Sequence, residues 1–224
     1  MPEKMIGLLR NAALKIAITA AASTLVLTAC SLPSGKNPNY PHDAPVGGQT
    51  IVEMEQSVVA LPGIESVETQ GHNSLNIKGN TGRHIKVVIE PGYVVADEEA
   101  FATFLVESLW SVREGYMPNA SLQLSITANP EDEFSIGAAV IAAGWREPDA
   151  HTRPPTDEGW SSTAVDVSER TSGSQWGIKN LERLGDWPGT VPEPPTDALV
   201  PRDMRHDRVV PPVLTRERVG PSTW

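Results

Sequence analysis

The sequence predicts an α+β fold: a small two-layer sandwich in the order helix, two or three strands, helix, strand, helix, with a disordered N-terminal tether and C-terminal tail. Three observations predict it. Apolar residues recur at helical spacing in separate stretches. Apolar and polar residues alternate between those stretches, which gives strands with one covered and one polar face. Eleven of the 20 prolines fall after Trp145, where no period is sustained.

The first helix is predicted from Gln49 to Leu61, with Ile51, Met54, Val58 and Leu61 on one face and Pro62-Gly63 as its stop. Ile64 to Gln70 reads as a strand, followed by a turn at Gly71-His72-Asn73. Leu75 and Ile77 alternate with Asn76 and Lys78, a short strand that turns at Gly79-Asn80-Thr81-Gly82. Ile85, Val87 and Ile89 alternate with His84, Lys86 and Glu90 until Pro91-Gly92. From Asp97 to Glu114 a second helix carries Phe101, Phe104, Leu105, Leu109 and Val112 as one stripe, with Gly115 and Pro118 beyond its end. Leu122, Leu124 and Ile126 alternate with Ser121, Gln123, Ser125 and Thr127 in the clearest strand of the chain. Asn129-Pro130 then reads as a cap and first turn, with Phe134, Ala138, Ile141 and Trp145 continuing a third helix.

Residues 1 to 29 read as an export signal. Lys4, Arg10 and Lys15 precede an uncharged stretch from Ile16 to Ala29, the length of a signal-peptide core and short for a membrane span. The stretch ends in Leu27-Thr28-Ala29-Cys30, which resembles the lipobox of bacterial lipoproteins. The resemblance implies cleavage before Cys30, a covalent diacylglyceryl group on its thiol, and a place on the extracytoplasmic face of the cell membrane. No other cofactor is expected. Acyl chains contribute about 0.8 kcal/mol per buried methylene, enough for two or three of them to anchor the chain stably. As the one cysteine in the chain, Cys30 can form no intramolecular disulfide and no cysteine-rich zinc site.

Removal of Glu3, Lys4, Arg10 and Lys15 with the signal leaves 15 basic and 27 acidic residues, a net charge of −12. Residues 30 to 48 hold four prolines and three glycines and read as a flexible tether. Residues 49 to 145 form the predicted globular domain, and 146 to 224 the largely disordered tail, with one helical turn near Lys179 to Leu184. The element order over residues 49 to 128 and the segment Pro62-Gly63-Ile64-Glu65-Ser66-Val67 resemble the BON-type module and the compact domains of actinobacterial envelope lipoproteins. That resemblance implies binding at membranes or envelope polymers and carries no catalytic motif.

No constellation for catalysis stands out. Asp97-Glu98-Glu99 and Glu131-Asp132-Glu133 lie in predicted first turns, where carboxylates stabilise the helix dipole, and consecutive residues cannot converge on one ion. His42, His72, His84, His151 and His206 show no metal-ligand spacing. No nucleophile elbow, S-x-x-K element or phosphate loop is present, and His206-Asp207 sits in the tail. The acidic balance argues against a nucleic-acid partner and against direct headgroup binding by the domain.

Trp110 falls opposite Phe101 on its helix wheel, either as an exposed anchor for a partner or covered by the tail. Trp160, Trp176, Trp187 and Trp224 are spread through the tail, as interaction residues or folded back on the sheet. The sequence thus points to a lipid-anchored, non-enzymatic binding or scaffold domain with an envelope protein or peptide as partner. Two alternatives are an accessory enzyme of cell-wall metabolism built on His84 and Glu90, and a module regulated by its own tail.

Overall fold

The computed structural model describes residues 40–71, 73–148, 150–169 and 175–207, with side chains to Met204, all within a compact unit that begins at Tyr40. The signal segment, Cys30, His72, Trp224 and the side chain of His206 lie outside the described residues.

Helix α1 (Ile51–Val59) starts where the sequence supplies a capping box. Thr50 Oγ1 accepts from Glu53 N, and Glu53 returns its carboxylate to Thr50 N at 2.7 Å. Met54 and Val58 are buried, and the chain turns at Gly63, where a Cβ would lie 2.2 Å from the Tyr93 ring. Strands β1 (Ile64–Gln70) and β2 (Gly82–Ile89) pair antiparallel. The strand predicted at Leu75–Ile77 does not form. Asn76 Oδ1 accepts from both Lys78 N and Asn80 N, so its side chain closes a turn that competes with pairing, and Ile77 is fully exposed.

Strand β3 (Tyr93–Val95) leads into α2 (Glu98–Ser111), capped by Asp97, whose carboxylate accepts from Ala100 N. The crossover through α2 lets β4 (Ser121–Thr127) lie parallel to β2. The single predicted helix after Asn129 is two elements. A 3-10 turn at Pro130–Asp132 ends at Glu133, whose φ of 51° breaks the helix, and Ser135 caps a new helix, α3 (Ile136–Ala142). The break rotates the buried face: Ile136, Ala139 and Val140 are buried, whereas Ala138 is exposed.

The fold runs well past Trp145, which corrects the expected domain boundary and, over residues 146–148, 150–169 and 175–207, the expected disordered tail. Strand β5 (Trp160–Asp166) pairs antiparallel with β4 over all seven residues and completes the sheet order β1-β2-β4-β5. Helix α4 (Gln175–Leu184) packs beside it through Asn180, whose Nδ2 donates to the carbonyls of Trp145 and Asp166. Strand β6 (Leu199–Pro201) pairs with β3 in a second, two-stranded sheet and leads into a 3-10 turn at Arg202–Asp207. The tether is also ordered from Tyr40. Asp43 and Ala44 donate backbone hydrogen bonds to Gly115 and Arg113, and Gly48 is required by close approach, since a Cβ there would lie 2.0 Å from Ser111 O.

The α+β class itself holds. Residues 83, 85, 87 and 89 of β2 and 122, 124 and 126 of β4 face the helices and are buried. The alternate residues form the other face. No helix of the described residues is long and apolar enough to cross a membrane.

Candidate functional site

Sheet register assembles the polar face row by row. Gln70, His84, Gln123 and Ala164 stand side by side across β1, β2, β4 and β5. Glu68, Lys86, Ser125 and Ser162 form the next row, and Ser66, Val88, Thr127 and Trp160 the third. Apart from Ser125, these residues are exposed or half-buried.

The charges on this face are spent on each other. Lys86 Nζ lies 3.2 Å from Glu68 Oε2, and Gln70 Nε2 donates to the other carboxylate oxygen. The Gln70 hydrogen bond and then Lys86 hold the Glu68 carboxyl below its usual range. His84 shares a 2.9 Å hydrogen bond between Nε2 and Ser125 Oγ. Partial burial, reinforced by Lys86 and opposed by Glu68, pushes its imidazole pKa down, so the ring is neutral at physiological pH.

At the His84 end the face deepens into a cleft of about 310 Å³, lined by Ser74, Asn76, Asn80, His84, Ser121 and Gln123. The floor is held close: a Cβ on Gly82 would lie 2.8 Å from Ser121 O, and Asn119 bridges the cleft's loop through Thr81 N and Gly79 O. Arg83 also borders the cleft, but its guanidinium turns inward, donating to Leu109 O and Val112 O at 2.9 Å and to Glu114 O at 2.6 Å. Burial pulls its pKa down to about 10 against the opposing charge of Glu114, and it remains a cation.

Larger hollows lie elsewhere. One of about 810 Å³ runs between Glu131, Glu133 and the proline-rich segment Thr152–Asp157. Another of about 660 Å³ is bounded by Asp97, Glu99, Glu107, Arg183 and Glu193. Several charged groups at these two already have structural work. Asp97 caps α2, and Arg183 stacks 3.6 Å over the Trp145 ring. Asp132, beside the first hollow, receives Arg202 Nη2 at 2.8 Å. The acidic clusters therefore behave as helix-terminal and ion-pairing groups, and no cluster of three metal-ligating side chains occurs among the described residues.

The tryptophans separate. Trp110 is 2% exposed, packed against Gly189 of the segment after α4, which removes it as an accessible partner contact. Trp187 is half-buried, with Nε1 donating to Val112 O at 3.1 Å, and Trp176 lies under Lys179 Nζ at 3.9 Å. Trp160 is 39% exposed at the corner of the polar face. Of the remaining candidates, His42 pairs with Asp43 and meets Tyr116 edge-on, and His151 is exposed. Glu90 lies six residues along from His84, about 20 Å in an extended strand, so the two do not share a site. Sequence reasoning placed Gln123 and Ser125 on a polar face but did not single them out, because neutral amides and hydroxyls carry no motif.

No family model matches the chain, and neither a curated protein nor a solved structure matches it.

Proposed function

We propose that this is a lipid-anchored cell-envelope protein whose α+β domain is a non-catalytic binding module, held at the extracytoplasmic membrane face by a diacylglyceryl group on Cys30. The order of Lys4, Arg10 and Lys15, the apolar run from Ile16, and Leu27-Thr28-Ala29-Cys30 supports the anchor. A net charge of −10 for the whole chain disfavours nucleic acid as a partner. The observation that carries the binding reading is the polar sheet face, with a cleft at one end and exposed Trp160 at the other.

The separation of His84 and Glu90 speaks against the two sharing a site in the enzyme alternative. Anchoring is tested by labelled fatty-acid incorporation and membrane fractionation. Cys30→Ala should abolish both; a variant that still fractionates with membranes refutes the lipid anchor. Binding is tested by a photo-crosslinking residue placed at Gln123 or, as control, at exposed Val52 in intact cells. A product specific to Gln123 supports the face as the working surface, and equal products from both positions refute it.

A further inference from the structure

Resting on that reading of the sheet face, we propose that the cleft and the adjoining rows bind an uncharged oligosaccharide. Among the described residues, the walls supply hydroxyls, amides and an imidazole, with neither carboxylate nor ammonium group. The Gln123 amide and the serine hydroxyls carry both donor and acceptor capacity, as each sugar hydroxyl does. Asn76, whose Oδ1 already accepts from Lys78 N and Asn80 N, adds amide donors, so the two sets can pair without leaving a charge uncompensated. Arg83, the cation on the border among the described residues, turns both terminal guanidinium nitrogens inward onto the carbonyls of Leu109, Val112 and Glu114. Its Nε is buried, so it presents no counter-charge to an anion in the cleft. Glu68 and Lys86 cancel within the next row. An ionic ligand would find no uncompensated counter-charge here among the described residues.

Size and layout agree. A volume of about 310 Å³ lies at the small end of ligand sites and admits a ring-sized group. From the Gln123 row to the Thr127–Trp160 row is four residues, about 13 Å along the strands. Ser125 and Ser162 lie between, and the exposed indole offers an apolar plane to the C–H face of a pyranose. A chain of a few sugars reaches from cleft to indole. The closely packed glycine floor keeps the cleft formed before binding, which lowers the ordering cost.

The test uses the purified full chain on an array of neutral oligosaccharides of glucose, galactose, mannose, arabinose and N-acetylglucosamine, with tetraglutamate and tetralysine as charged probes. Binding of at least one neutral oligosaccharide and neither charged peptide is expected. Trp160→Ala and Gln123→Ala should each weaken it about tenfold, and Gln123→Glu should do so while circular dichroism stays unchanged. Absence of neutral-sugar binding at millimolar concentration overturns the proposal, as does sugar binding insensitive to all three substitutions. If no sugar binds but Gln123-specific crosslinking persists in cells, only the ligand class is refuted; if that crosslinking fails as well, the binding-face reading falls with it.

Discussion

Arg83 Nη1 donates to Leu109 O at 2.9 Å and so ties strand β2 to the C-terminal end of helix α2. Three further carbonyls, those of Val112, Glu114 and Tyr116, receive the same guanidinium. The last carbonyls of a helix have no intrahelical donors and carry the negative end of its dipole, so a buried cation is placed where it offsets both deficits.

Arg83→Met keeps much of the volume but takes the guanidinium from the carbonyls of Leu109, Glu114 and Tyr116, while Val112 O keeps only Trp187 Nε1. We expect a loss of at least about 2 kcal/mol in urea unfolding. Arg83→Lys should recover little of it, because an ammonium cannot fork across carbonyls spread from residue 109 to 116. Full stability in either variant would show that the tie contributes nothing.

Truncation after Trp145 should abolish cooperative folding. It removes β5 and with it the buried Val165 and Val167, along with Leu199 of β6. Burial of side chains of that size is worth about 1.5–3 kcal/mol each, or about 5–9 kcal/mol together. A domain's whole margin is about 5–15 kcal/mol. A sharp urea transition in the truncated chain would refute this, and limited proteolysis of the full chain should spare residues 160–166 and 175–201.

The sequence reveals elements whose buried face is continuous and apolar. Residues 122, 124 and 126 alternate without interruption, and Thr50-x-x-Glu53 marks a helix start directly. Strand β5 hides because its covered face reads Ser161, Thr163, Val165: Ser161 Oγ accepts from Ile136 N and Thr163 Oγ1 from Arg146, so polar side chains fill positions where apolar ones signal a strand. Trp110 misleads for a related reason. A helix covered by the sheet on one side and by residues 187–189 on the other needs no polar face, and the wheel cannot show the second cover. The polar face was legible as alternation, whereas its cleft depends on the Asn76 turn, which the alternation of residues 75–78 disguises as a strand.

Stability should fall as the pH drops through about 6.5, with His84 as one contributor. Its folded pKa is lowered, so the unfolded chain takes up the proton first and gains relative to the native state. The contribution present above the unfolded pKa is lost as the pH falls through the folded one. Glu107 acts with the opposite sign. Burial raises its pKa against the pull of Arg183, so stability present below its unfolded value is lost as the pH rises through the folded one. Urea midpoints at about pH 7.5 and about pH 5.5 should therefore differ less in His84→Gln than in the parent chain. An unchanged difference would remove His84 from the account.

Glu55 should keep the protein from pairing edge to edge. Strand β1 is an outer strand of the sheet, and its Thr69 N donates to Glu55 Oε1 at 2.9 Å, outside the ladder with β2. The carboxylate thus occupies a backbone donor that another chain's strand could use, and it sets a negative charge beside the edge. Glu55→Ala removes both obstacles. We expect concentration-dependent association in sedimentation velocity, with added β signal and little change in the monomer's urea midpoint, since the freed N–H can turn to water. Glu55→Gln retains the acceptor and should stay mostly monomeric. If Glu55→Gln associates as strongly as Glu55→Ala, the charge rather than the hydrogen bond guards the edge; if neither associates, Glu55 plays no part in keeping the chains apart.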